Sequence, residues 1–149
     1  MAKYFTFYEL IYSSTAEKEG INNTPQEENI IKNINRLIDF LDLLREKWGS
    51  AIRVGSGYRC PQLNEEVGGS STSVHMLGLA ADLTPKNGKT SEFFEFVKKY
   101  LLENNIPFDQ LIDEYSGKKH WVHIGLENSQ GKQRKQIKKY VNGKYTLIK

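Results

Sequence analysis

An α+β fold, with N-terminal and central helices packed on an antiparallel sheet, is predicted by three features of this 149-residue chain. Apolar residues recur at helical spacing between Ile30 and Trp48, and again between Glu92 and Leu102. The last third alternates as strand and closes on an Asn142-Gly143 turn. Helices dominate first and strands last, unlike the regular alternation of a parallel βαβ sheet. The length suits one domain spanning residues 1–149, large enough to bury a real core.

The elements follow in order. Phe5 to Gly20 reads as a short helix and a polar turn. Thr24, Pro25 and Glu27 have the pattern of a capping box, with Thr24 as N-cap and Pro25 in the first helical position. Behind them Ile30, Ile34, Leu37, Ile38, Leu41, Leu44 and Trp48 form one apolar stripe, and Gly49 ends it. Ala51 to Ser56 alternates as a strand. Pro61 opens a helix to about Val67, and Gly68 to Ser73 is a loop by composition. A short strand is expected at Ala80 to Leu83 and a turn at Pro85 to Gly88, ahead of the Glu92–Leu102 helix. Strands follow at Asp109 to Tyr115 and Trp121 to Leu126. The Asn142-Gly143 pair is a two-residue hairpin signal between 138–141 and 144–148.

Composition narrows the class. Hydrophobic residues make up 38% and charged residues 26%, the balance of a globular protein rather than a disordered one. A net charge of +3 gives no argument for nucleic acid as a partner. The acidic residues stop at Glu127, while Lys132, Arg134, Lys135, Lys138, Lys139, Lys144 and Lys149 follow. That basic end is compatible with an anionic polymer or with a solvated strand face. One cysteine, Cys60, rules out an intrachain disulfide. No apolar run reaches the ~20 residues of a membrane span. MAKYFTFYEL lacks the pattern of a signal peptide, so the expectation is a protein that is cytoplasmic as synthesised; a monomer is expected.

The chemistry-bearing residues are few. All three histidines lie in two segments, His75 in one and His120 with His123 in the other, and Asp82 follows His75 by seven residues. Catalytic zinc takes three protein ligands of His or carboxylate type and leaves a position for water. His75, Asp82 and His123 meet that requirement if the segments lie side by side. In the strand, Val122, Ile124 and Leu126 alternate onto one face, turning His123 and Trp121 to the other. Taken alone, the same residues also suit a satisfied structural histidine and a turn or cap aspartate. Cys60, before a proline at a helix start, is either an activated thiol or a small packed residue.

Three stretches carry a resemblance: Ser56-Gly57-Tyr58-Arg59-Cys60-Pro61-Gln62-Leu63-Asn64, Val67-Gly68-Gly69-Ser70, and Ser73-Val74-His75-Met76-Leu77-Gly78-Leu79-Ala80-Ala81-Asp82. With Phe108-Asp109-Gln110-Leu111-Ile112 and Trp121-Val122-His123-Ile124, they resemble the zinc D-Ala-D-Ala carboxypeptidase family. Relatives of that family include phage L-alanyl-D-glutamate endolysins and the hedgehog signalling domain. The resemblance implies a hedgehog-like fold with a zinc site on the sheet and hydrolysis of peptidoglycan stem peptides. His75, Asp82 and His123 would hold Zn²⁺, and Arg59 would pair with a substrate carboxylate or the developing oxyanion. Ser73 would hydrogen-bond substrate or cap its loop.

Many members carry an acidic residue three positions before the last histidine, where this chain has His120. Other members place a glutamate further upstream, which implies Glu114 as general base. Asp113 and His120 stand in reserve. Strand alternation sends Asp113 and Glu114 to opposite faces, and the apolar pattern does not choose between them. A phage-type enzyme would reach the wall through a partner-made membrane lesion. The alternative is a non-catalytic module of the same fold that holds wall or a protein partner.

Overall fold

The computed structural model describes residues 3–148. Two short helices, α1 (Phe7–Ile11) and α2 (Ser14–Glu19), precede the long α3 (Glu28–Trp48). Then come β1 (Ile52–Ser56), α4 (Pro61–Glu66), a single 3₁₀ turn (Val74–Leu77) and β2 (Ala80–Pro85). The helix α5 (Thr90–Glu103) leads into β3 (Gln110–Ser116), β4 (Lys119–Gly125), β5 (Gln136–Val141) and β6 (Lys144–Leu147).

The helical stripe packs as expected, but its start does not. Ile34, Leu37, Ile38, Leu41 and Leu44 are buried, and Gly49 caps the end of α3 in a left-handed conformation. The helix begins only at Glu28, with no side-chain cap, so Thr24 and Glu27 form no capping box. The reason lies one residue earlier. Asn23 donates to the carbonyls of Ile11 and Tyr58 and accepts from the Cys60 N–H. Those three bonds hold the segment extended across the neighbouring loop, beyond the reach of a helix. A capping box does occur at Thr6 and Glu9, opening α1. Asp42 on α3 accepts the backbone N–H groups of Lys3, Tyr4 and Phe5, tying the N-terminal segment down.

The six strands order as β1-β2-β4-β3-β5-β6. All neighbours are antiparallel except β3 and β5, which run parallel. The expectation of a purely antiparallel sheet is corrected by that pair, and the cause is connectivity. β2 already occupies the free side of β4. The chain leaving Gly125 therefore steps over the start of β3 and enters on its far side, in the direction of β3. Asp109 fastens this crossing: its carboxylate accepts from Arg134 Nε at 2.8 Å and Nη2 at 2.9 Å, and from the Arg134 N–H at 3.0 Å.

One sheet face carries Ala81, Leu83, Leu111, Val122, Ile124 and Ile137 into a core shared with α3 and with Phe93, Phe94, Val97 and Leu101 of α5. The opposite face lines a cleft. Two glycines let the cleft loops approach the rest of the fold. A Cβ on Gly57 would lie 2.4 Å from the Leu10 carbonyl oxygen. Gly78, at φ +74°, ends the 3₁₀ turn against α3, where a Cβ would lie 2.6 Å from Ile34 Cγ1.

Gly78 and Gly88 separate strain from crowding, because Gly88 has φ +78° but open space around it. Gly88→Ala is expected to cost about 1–2 kcal/mol for the left-handed backbone alone. Gly78→Ala adds overpacking against α3 and should cost about 2–4 kcal/mol. Urea unfolding of the two variants checks this; equal losses would contradict it.

Candidate metal centre

Asp82 of β2 and His123 of β4 are direct partners across an antiparallel ladder, so both side chains leave the sheet on the cleft side. His75 arrives from the 3₁₀ turn. Ser73 caps that turn, its Oγ accepting from the His75 N–H at 3.2 Å. The His75 carbonyl accepts from the Arg59 N–H at 3.0 Å. His75 Nδ1–H donates to the Gly57 carbonyl at 2.7 Å, which fixes the tautomer and leaves the Nε2 lone pair free. That Nε2 lies 3.6 Å from Asp82 Oδ1, and His123 Nδ1 lies 3.0 Å from the same oxygen.

One donor atom from each residue falls within 4.8 Å of the others. Two imidazoles and one carboxylate are a donor set zinc accepts, and a backbone carbonyl orienting one imidazole is the usual outer-shell support. The residues fit a zinc ion.

Burial sets the electrostatics. It opposes ionisation of Asp82, yet the two imidazoles outweigh it and hold the carboxyl far below the ordinary carboxylate range. Burial keeps His75 neutral, shifting its pKa down. Burial also disfavours charge on His123, but the hydrogen bond and charge of Asp82 win and raise it. Glu114 stands on β3 with Oε1 4.0 Å from His123 Nδ1. Burial, reinforced by Asp82 and opposed by His123 and Arg59, pushes Glu114 up to about 7. Two carboxylates on one sheet face thus hold opposite protonation tendencies.

Arg59 lines the same cleft as Glu114, Asp82 and His123. Its Nη2 donates to Ser73 Oγ at 3.4 Å, while its Nε is buried without a partner. Burial lowers its pKa, opposed by Asp82 and Glu114. Among the described residues it makes no ion pair with Glu65 or Glu66. Asp113 and His120 go elsewhere. They alternate onto the helix-facing side of the sheet, bonded to each other at 2.5 Å, with the His120 ring stacked on Tyr115. Neither lines the cleft, so the two reserve positions are not brought to the cluster of His75, Asp82 and His123. Cys60 also lies outside the cleft; its Sγ caps α4, accepting from the Leu63 N–H at 3.4 Å.

The cleft has a volume of about 730 Å³ and also takes in Trp121, Tyr140, Tyr145 and Arg134. The tyrosines did not stand out in the sequence. A two-residue turn at Asn142-Gly143 pairs Tyr140 with Tyr145, and that pairing was the available signal. Which face they occupy depends on the parallel pairing of β5 with β3, which the sequence did not reveal.

A model of the peptidase M15 family matches residues 3–125. No curated protein matches the chain.

The raised pKa of Glu114 has a sign that stability measurements can read in chelator-treated protein. Below about 4.5 the side chain is protonated in both folded and unfolded chains and costs nothing. As pH rises from about 4.5 to about 7 the unfolded chain releases its proton first, so stability is lost across that window. Glu114→Gln should therefore leave chelated protein unchanged near pH 4 and stabilise it by about 1–3 kcal/mol at pH 8. Equal effects at both pH values in chemical denaturation would contradict the electrostatic account.

Proposed function

The chain belongs to the peptidase M15 family of zinc peptidases, and from that footing we propose that it hydrolyses stem peptides of peptidoglycan. The observation that carries this reading is the convergence of His75, Asp82 and His123 beside Glu114 and Arg59 in one cleft. In this reading residues 1–149 act as one monomeric domain, either as a D,D-carboxypeptidase or as an endopeptidase of phage or prophage origin. Among the described residues no helix is long and apolar enough to cross a membrane.

His75 Nε2, Asp82 Oδ1 and His123 Nδ1 would hold the zinc. Zinc at such a site polarises the scissile carbonyl and brings the pKa of water to roughly 7. Glu114 is the general base. Its surroundings raise its pKa to about 7 in the metal-free protein, and in the enzyme it would accept the proton released as water attacks and hand it to the departing amine as the C–N bond breaks. A group poised near the working pH serves both halves of that transfer. Bound zinc would add positive charge beside Glu114 and draw its pKa down, favouring the ionised form that accepts the proton.

Arg59 supplies a half-buried guanidinium whose Nε has no protein partner. A substrate carboxylate, or the negative charge developing on the carbonyl oxygen, would satisfy it. Ser73 steadies both Arg59 and the turn that carries His75. A module that merely bound cell wall would have no use for a carboxyl set 4.0 Å from His123 in the same cleft as Arg59.

Mass spectrometry of muropeptides incubated with zinc-loaded protein tests the reading. A mass loss on the stem identifies the bond, and unchanged muropeptides would end the enzymatic assignment. Glu114→Gln is expected to lower turnover by ~10²–10⁴-fold while zinc content stays at one per chain. Asp113→Asn should retain turnover, since its side chain lies on the other face of the sheet. Arg59→Lys keeps the charge but loses the planar fork, and should reduce kcat/KM by at least about tenfold without lowering the melting temperature. A fully active Arg59→Lys enzyme would remove Arg59 from the site.

A further inference from the structure

The cleft does not end where the family match ends. Residues 126–148 lie beyond the matched segment, yet the β5–β6 hairpin forms one wall of the cleft. Register explains how. Trp121, Glu114, Tyr140 and Tyr145 are successive partners across β4, β3, β5 and β6, so they form one row on the cleft face. Tyr145 is the outermost member of a row that contains the proposed base.

Tyr145 stands outside the core. The strand β6 is the sheet edge, and all four of its residues are exposed. Tyr145 itself is 56% exposed. Its ring is nevertheless held in place, 4.6 Å from the Tyr140 ring, with the Lys138 ammonium 5.4 Å from its centroid. Its hydroxyl makes no hydrogen bond among the described residues. Partial burial, and after it the charges of Glu114, Tyr140 and Asp82, raise the pKa of the phenol. A braced aromatic ring with a free donor, lining the cleft in the same row as the proposed base, is equipped to hold a ligand.

We propose that Tyr145 is a substrate-binding residue, its hydroxyl donating to a carbonyl of the stem peptide and its ring covering a small side chain beside that carbonyl. Tyr140 acts through it as a positioning residue, and the hairpin thereby defines the outer limit of the peptide subsite. The phenol is a neutral donor throughout, so the contact orients substrate without exchanging a proton. This inference rests on the stem-peptide reading above for the identity of the ligand.

The test uses zinc-loaded full-length protein carrying Glu114→Gln, so that binding is measured without turnover. The probe is the synthetic pentapeptide L-Ala-γ-D-Glu-L-Lys-D-Ala-D-Ala, titrated by calorimetry. Adding Tyr145→Phe, which removes only the hydroxyl, should weaken binding about 5-fold. Adding Tyr145→Ala should weaken it about 30-fold. Zinc content and unfolding midpoint should be those of the parent, and Tyr8→Ala, at another exposed tyrosine that does not line the cleft, should bind as the parent does. If Tyr145→Ala disturbs the hairpin, the Tyr145→Phe result decides. Binding within twofold of the parent in both Tyr145 variants overturns the proposal. A parent that does not bind the peptide overturns it together with the stem-peptide reading. Tyr145-dependent binding by a protein whose wild type cleaves nothing would sink only the catalytic reading.

Discussion

Asp82 and His123 occupy one rung of the β2–β4 ladder, and the site depends on that register. Side chains alternate across a strand, so a slip of one residue would turn one of the pair into the helical core. The burial pattern forbids the slip. Ala81 and Leu83 on β2, and Val122 and Ile124 on β4, are each almost fully buried among α3 and α5. The apolar face thus fixes the polar face. His75 is brought to the same point by a different device, a short turn pinned through the Gly57 carbonyl, the Arg59 N–H and Ser73. A left-handed Gly78 lets that turn lie directly on α3.

The same geometry gives two carboxylates opposite protonation tendencies. Asp82 touches both imidazoles and stays ionised in spite of burial. Glu114 stands one strand over from His123 and two residues along β3 from its partner Ile112, with Oε1 4.0 Å from His123 Nδ1, and burial there raises its pKa against the pull of His123. Pairs of acidic groups whose surroundings push their pKa values apart mark acid–base chemistry in many enzymes. Here the separation follows from position on the sheet, since Glu114 is paired in register with Trp121 and Tyr140 rather than with a cation. Asp113, the next residue along, is turned by the pleat toward His120 and makes a structural pair with it.

Much of this was legible in the sequence. The apolar stripe of α3, the strand containing His123 and the Asn142-Gly143 turn all follow from periodicity and turn chemistry. Proximity of His75, Asp82 and His123 required the resemblance, because spacing alone left a structural histidine and a capping aspartate open. The choice of Glu114 over Asp113 was not written in the apolar pattern: Leu111 and Ile112 are both buried, on opposite faces of β3. Long-range contacts account for what was missed. Asn23 delays the start of α3 through bonds to Ile11, Tyr58 and Cys60, none of which is a local neighbour. The parallel entry of β5 follows from β2 occupying the other side of β4, a constraint visible only once the whole sheet is assembled. Tyr140 and Tyr145 reach the cleft through that same parallel step.

In the proposed enzyme His75, Asp82 and His123 together hold one zinc ion on the open face of the sheet. Anomalous diffraction recorded on either side of the zinc absorption edge from crystals of zinc-loaded protein tests it most directly. A single peak is expected, bonded at about 2.0–2.2 Å to His75 Nε2, Asp82 Oδ1 and His123 Nδ1. A peak at the Asp113–His120 pair, or no peak at all in protein exposed to zinc, would contradict it.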